Sequence, residues 1–179
     1  KDSNINLLKK RLGHVREKYF LDILNELAKY LKDEEIIKIR QLFKLFNLEE
    51  YLIRKKFGIF HRNRINKLQI LLNIGCTEKS YSILNKLCES KKSEIRLYSI
   101  EILIVYGKFN IEKDFLKYKY NMYLWEQMNY YNIICNKSNV KPNFSALLSS
   151  SNISVVLFGL RMMRLFNQTL VLNKENDYL

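Results

Sequence analysis

Two stretches of this chain lie on each other without a gap. The segment "LNKLCESKKSEIRLYSIEILIVYG" (84–107) matches "FSALLSSSNISVVLFGLRMMRLFN" (144–167), starting 60 residues earlier. Leu87 falls on Leu147, Ile95 on Val155, Leu97 on Leu157, and Tyr98 on Phe158. The small Ser99 falls on Gly159, and Ile100, Leu103 and Tyr106 fall on Leu160, Met163 and Phe166. Each segment reads as helix, short polar turn, helix, with Ser93 and Asn152 near N-cap positions. A fainter echo, offset by 32, aligns "LQILLNIG" (68–75) with the stretch ending "EILIVYG" (101–107). It pairs Leu68 with Ile100, Ile70 with Ile102, and Leu71 with Leu103. Self-similarity of this kind marks stacked helical units of about 30 residues.

Hydrophobic spacing supports helices elsewhere. Leu8, Leu12, Val15, Tyr19, Ile23, Leu27 and Leu31 recur at helical intervals, which predicts one helix over 5–31. Residues 34–46 predict another, with Asp33 as N-cap and Ile36, Ile39, Leu42, Phe43 and Phe46 on its apolar side. Shorter helices are expected over 49–57 and 112–119, and longer ones over 60–74 and 123–135. Pro142 opens the last helix pair, where its missing N–H costs little. With 5 Gly and 1 Pro among 179 residues, 47% of them hydrophobic, few breakers interrupt these patterns. The reading divides the chain into an N-terminal helical cap or irregular pair (1–59), helical repeats (60–168) and a polar tail (169–179).

A small residue at mid-helix, preceded by "EIR" and flanked by apolar residues, resembles the second helix of a HEAT repeat. "SEIRLYSIEILIVYG" (93–107) carries this best, with Ile95-Arg96 in place of the family's Val-Arg and Ser99 where the family prefers Ala. The match weakens where Lys67 takes the small position and Val156 replaces Arg. More narrowly, "WEQMNYYNII" (125–134) and 142–168 are similar to small bacterial HEAT-repeat proteins. The resemblance implies an all-α fold, a right-handed α-solenoid of stacked helix pairs behind a less regular N-terminal cap. It also implies a non-catalytic accessory or scaffold role at the inner face of the cytoplasmic membrane, beside cell-surface polysaccharide synthesis. In that group a membrane helix commonly precedes the domain; here the sequence starts at Lys1, so any anchor is expected upstream.

The net charge of +13 suits nucleic acid, an anionic membrane surface or an acidic protein. The richness in Lys, Asn, Ile and Tyr also has the stamp of an AT-rich genome. Cys76, Cys88 and Cys135 are odd in number and unpaired in spacing, as expected of thiols in a reducing compartment. With His14 and His61 they form no metal-ligand spacing, so no metal or other cofactor is expected. The acids Glu78, Glu94 and Glu112 fall in expected first turns, where the helix dipole suffices to explain them. No Gly-rich phosphate loop or nucleophile–base pair is evident, and the chain is not expected to be an enzyme.

Two binding surfaces remain. Second helices of a solenoid line its concave side, and equivalent positions form rows. Gln69, Glu101 and Arg161 make one row, and Leu72, Ile104 and Arg164 the next. This groove is expected to hold a protein partner, with Gly159 admitting a neighbouring helix and Leu157 and Leu160 packed inside. The alternative is nucleic acid on "RKKFGIFHRNRINK" (54–67), through Arg54, Lys55, Lys56, Arg62, Arg64 and Lys67 with Phe57 and Phe60 between. In the aromatic run 118–131, Leu124, Trp125 and Met128 are expected in the core, with some of the five tyrosines left exposed.

Overall fold

A computed structural model describes residues 17–31, 34–54, 61–137 and 142–168. All regular structure among them is helical. The elements are α1 (Glu17–Tyr30), α2 (Glu34–Leu45), α3 (Leu48–Arg54), α4 (His61–Ile74), α5 (Glu78–Leu87) and α6 (Ser93–Val105). They continue as α7 (Ile111–Asp114), a 3-10 turn (Phe115–Lys117), α8 (Leu124–Lys137), a 3-10 helix (Phe144–Ser149) and α9 (Ile153–Leu165). The chain divides into two compact units, Lys1–Ile102 and Leu103–Leu179, with the division inside α6.

In the first unit the core gathers Leu21, Leu24, Ile39, Phe43, Leu68 and Leu71, all buried. The side chain of Asn73 on α4 donates to Asn25 on α1, and the Arg40 guanidinium on α2 donates to the Ile74 carbonyl. Packing therefore runs across residue 60, and the N-terminal helices share a core with α4. The burial of α1 corrects the expected apolar face. Tyr19, Ile23 and Leu27 are exposed, while Leu21 and Leu24 are buried and Phe20 meets Phe46 edge to face at 5.0 Å. The helix has two apolar stripes, and α2–α4 close over the second. Leu8, Leu12, Val15 and the proposed Asp33 cap lie outside the described residues.

Helix ends follow local chemistry. Glu78, Glu94 and Glu112 occupy first turns as expected. The carboxylate of Glu49 acts on α5 from a distance. It accepts from the Thr77 N–H at 2.9 Å and from the Thr77 and Ser80 hydroxyls. Buried Arg96 donates to the carbonyls of Ser90 and Lys91, tying down the turn between α5 and α6. Gly107 takes φ +66° after α6, with Lys108 N–H on the Leu103 carbonyl and Gly107 N–H on that of Ile104. Sixty residues on, Asn167 takes φ +53° after α9, with Gln168 N–H on Met163 and Asn167 N–H on Arg164. Both are Schellman closures. The two matched segments thus share a helix exit as well as an apolar pattern. They differ at the first helix of the pair, which in the later copy is the 3-10 helix Phe144–Ser149, capped by Asn143 rather than entered at Pro142.

The second unit is built on aromatic rings. Phe115 meets Tyr130 at 5.1 Å and Phe158 at 5.5 Å, edge to face, the arrangement the ring quadrupole favours. Phe144, Leu147, Val155 and Met162 are buried with them. Gly159 faces the 3-10 helix so closely that an added Cβ would sit 2.9 Å from the Leu147 Cβ. The expectation that this glycine admits a neighbouring helix holds.

Candidate functional site

The site grows from how α8 and α9 lie together. Met122 N–H donates to the Ser154 hydroxyl at 2.9 Å, Arg161 donates to the Gln127 amide oxygen, and Tyr131 meets Phe166 at 6.0 Å. These pairs advance together along both helices, so α8 and α9 run side by side in the same direction. Asn152 fixes the start of α9. Its side-chain oxygen accepts from Ser154 N–H at 3.0 Å as an N-cap. Its amide nitrogen donates to the carbonyls of Tyr118 and Tyr120.

Helix α8 is polar inside and apolar outside at its N-terminal end. Glu126 is 0% exposed and Gln127 is buried, while Leu124 is 62% exposed and Trp125 and Met128 are also exposed. The expected core role of Leu124, Trp125 and Met128 is therefore overturned. Local bonding satisfies the two inward polar groups. The Glu126 carboxylate accepts the Tyr123 N–H at 3.0 Å, closing the first turn, and also the Tyr118 hydroxyl at 3.4 Å. The Gln127 amide donates to the Met122 carbonyl at 2.9 Å and accepts from Arg161. Together with Tyr130, Ile133 and Ile134, these two residues form the inner face of α8, which leaves the apolar trio towards solvent. Among the tyrosines, Tyr123 is exposed, Tyr118 and Tyr130 are buried, and Tyr120 and Tyr131 are half-buried.

Helix α9 presents a matching outer strip. Ile153 is 74% exposed, and Leu157, Leu160 and Leu165 are exposed too. This corrects the expectation that Leu157 and Leu160 are packed inside; Val155, Phe158, Gly159, Met162 and Met163 are the buried positions. Arg161 and Arg164 stand exposed among these leucines. The only acid in α8 and α9 is the buried Glu126. The outer face is apolar and cationic, with exposed Asn129 and Asn132 beside it on α8.

The remaining sequence candidates fare unequally. Gln69 is half-buried and donates to the Tyr98 hydroxyl at 3.2 Å. Leu72 and Glu101 are half-buried. Ile104 is 6% exposed and offers almost no surface to a partner. Of the two proposed rows, only Arg161 and Arg164 are exposed, and the first unit holds Gln69, Leu72 and Glu101. In the basic cluster, Lys67 turns inward, its Nζ donating to the Leu52 carbonyl at 2.9 Å, and Arg64 is half-buried. Lys55 and Lys56, with Phe57 and Phe60, lie outside the described residues, as do the side chains of Arg54 and Arg62.

No group of three or more metal-ligating side chains occurs among the described residues. Cys76 is half-buried, and its thiol is pushed up to about 12, first by burial and then by the nearby Glu49 charge. A thiol so protonated is a poor nucleophile at neutral pH. No helix among the described residues is long and apolar enough to cross a membrane. No family model matches the chain, and neither does any curated protein or solved structure.

What sequence reasoning missed is the exposed apolar trio on α8 and the exposed leucines on α9. A signal existed in the sequence. Glu126 and Gln127 follow Tyr123 at the spacing of a helix start, where a carboxylate three residues in folds back on the backbone.

Proposed function

We propose that this chain is a non-catalytic HEAT-type scaffold that docks a protein partner on the outer face of α8 and α9. The observation carrying this is the inversion of α8 beside the apolar, arginine-bearing strip of α9. Contiguous exposed apolar surface is disfavoured in an isolated soluble chain and commonly marks an interaction site. Arginine and tryptophan are also enriched among residues that dominate interface energetics. The parallel course of α8 and α9 and the Schellman exits shared by the two matched segments support stacked helix pairs, and the HEAT resemblance extends this reading to a right-handed solenoid.

The resemblance of 125–134 and 142–168 to small bacterial HEAT proteins extends the proposal. On that reading the chain works in the cytoplasm at the inner membrane face, as an accessory to cell-surface polysaccharide synthesis. The test is recovery of partners from the source organism with the wild-type chain and with Arg161→Glu/Arg164→Glu. A partner held by the wild type and lost from the double variant is the expected result. Equal recovery by both would overturn the assignment to this face.

A further inference from the structure

The exposed strip of α9 has a spacing that selects its occupant. Ile153, Leu157, Leu160 and Arg164 are separated by four, three and four residues. This is the interval of a helix–helix seam, in which a second helix sets its own side chains into the gaps. The strip spans about 17 Å at the helical rise, or roughly three turns of an apposed helix. Leu124 and Met128 of the parallel helix α8 add exposed apolar surface alongside.

Charge narrows the occupant further. Among the described residues, the face carries Arg161 and Arg164 and no exposed acid. A second copy of this chain docked on the same face about a twofold axis would bring like charges together, which disfavours that pairing. Arg161 is also held in place. It bonds to Gln127, which is itself buried and anchored to the Met122 carbonyl. A guanidinium fixed by a buried amide suits the planar, two-pronged geometry of a carboxylate. Exposed Asn132 beside Met128 would be costly against lipid chains but can hydrogen-bond a peptide, as can the amide oxygen of Asn129, whose nitrogen donates to the Trp125 carbonyl. These features favour a protein over a membrane surface.

We propose that the α8–α9 face receives an acidic amphipathic helix of a partner protein. Leucine-like residues of that helix lie along Ile153, Leu157 and Leu160, and its carboxylates reach Arg161 and Arg164. This rests on the scaffold reading above and names the chemistry of its partner.

The probe is a synthetic helical peptide with leucines at helical spacing and glutamates flanking them, labelled for fluorescence anisotropy. Its twin carries lysine at every glutamate. The whole chain is expected to bind the acidic peptide saturably, with weakening as salt rises, and to ignore the twin. Arg161→Glu/Arg164→Glu is expected to weaken the acidic peptide roughly tenfold or more and to gain affinity for the lysine twin. Leu157→Ser/Leu160→Ser is expected to abolish binding while the circular dichroism spectrum stays helical and the melting temperature falls by only a few degrees, because both side chains are partly exposed. Trp125, the chain's single tryptophan, reports occupancy of α8 through a shift in its emission. Equal binding of both peptides, or no saturable binding of the acidic one at millimolar concentration, would overturn the proposal. So would sedimentation with phosphatidylcholine–phosphatidylglycerol vesicles that is lost in Leu157→Ser/Leu160→Ser. Should a partner cross-link to position 160 through a segment that is neither acidic nor helical, the scaffold reading stands and this inference falls.

Discussion

Single side chains decide how this fold closes. Gly159 is the clearest case, because the space for its Cβ is already taken by Leu147 and by the Phe144 carbonyl at 3.2 Å. Gly159→Ala is expected to destabilise the chain by about 1–3 kcal/mol, the usual cost of overpacking. Ser99, its counterpart in the earlier segment, has room for a side chain and bonds its hydroxyl to the Ile95 carbonyl at 2.7 Å. Ser99→Ala should therefore shift the melting temperature far less, and equal shifts for the two variants would contradict the account. Cys76 yields a pH prediction. Its folded thiol titrates near 12 rather than 9.0, so the folded state keeps the proton that the unfolded chain has released. Stability from this group is full below pH 9 and declines as pH rises from 9 towards 12. Urea melts across that range should fall more steeply for wild type than for Cys76→Ala; parallel curves would refute it. At neutral pH, exposed Cys135 should react with a thiol reagent well before Cys76.

Helices report how far periodicity can be read. The elements after residue 60 were legible because apolar residues recur at helical spacing and Gly75, Gly107 and Asn167 stop three of the runs. Their existence and order follow from residues such as Asn152 and Gly107. Which face is buried was legible only where one stripe dominates. In α1 two stripes compete, and the choice of Leu21 and Leu24 over Ile23 and Leu27 is made by α2–α4, which local sequence does not specify. In α8 the inner face is set by Tyr130, Ile133 and Ile134, and Glu126 and Gln127 share it one turn earlier because Tyr123 and Met122 satisfy their polar atoms. The cap of α9 is testable at this scale. An ordinary N-cap loss costs about 1 kcal/mol. Asn152→Ala also strands the carbonyls of Tyr118 and Tyr120, so it should cost more than Asn143→Ala, which removes only the cap of a 3-10 helix. Equal thermal shifts would show that the two extra bonds contribute nothing.

For the whole molecule, the question is why a stable chain leaves leucines and tryptophan in water. Of the six site residues named from spacing, Gln69, Leu72, Glu101 and Ile104 are not exposed, while Arg161 and Arg164 are exposed together on α9. Their apolar surroundings were hidden from the sequence because Leu157 and Leu160 look identical to core positions in the matched segment. Burial in one copy of a repeat does not carry over to the next when neighbouring helices differ. The central claim is that the α8–α9 face is occupied by another protein. The most direct measurement replaces Leu160 with a photo-cross-linking residue in the source cells and compares it with the same residue at exposed Lys86. The account predicts one discrete protein adduct from position 160, lost with Arg161→Glu/Arg164→Glu, and none from position 86. No adduct from position 160, or the same adducts from both positions, would contradict it.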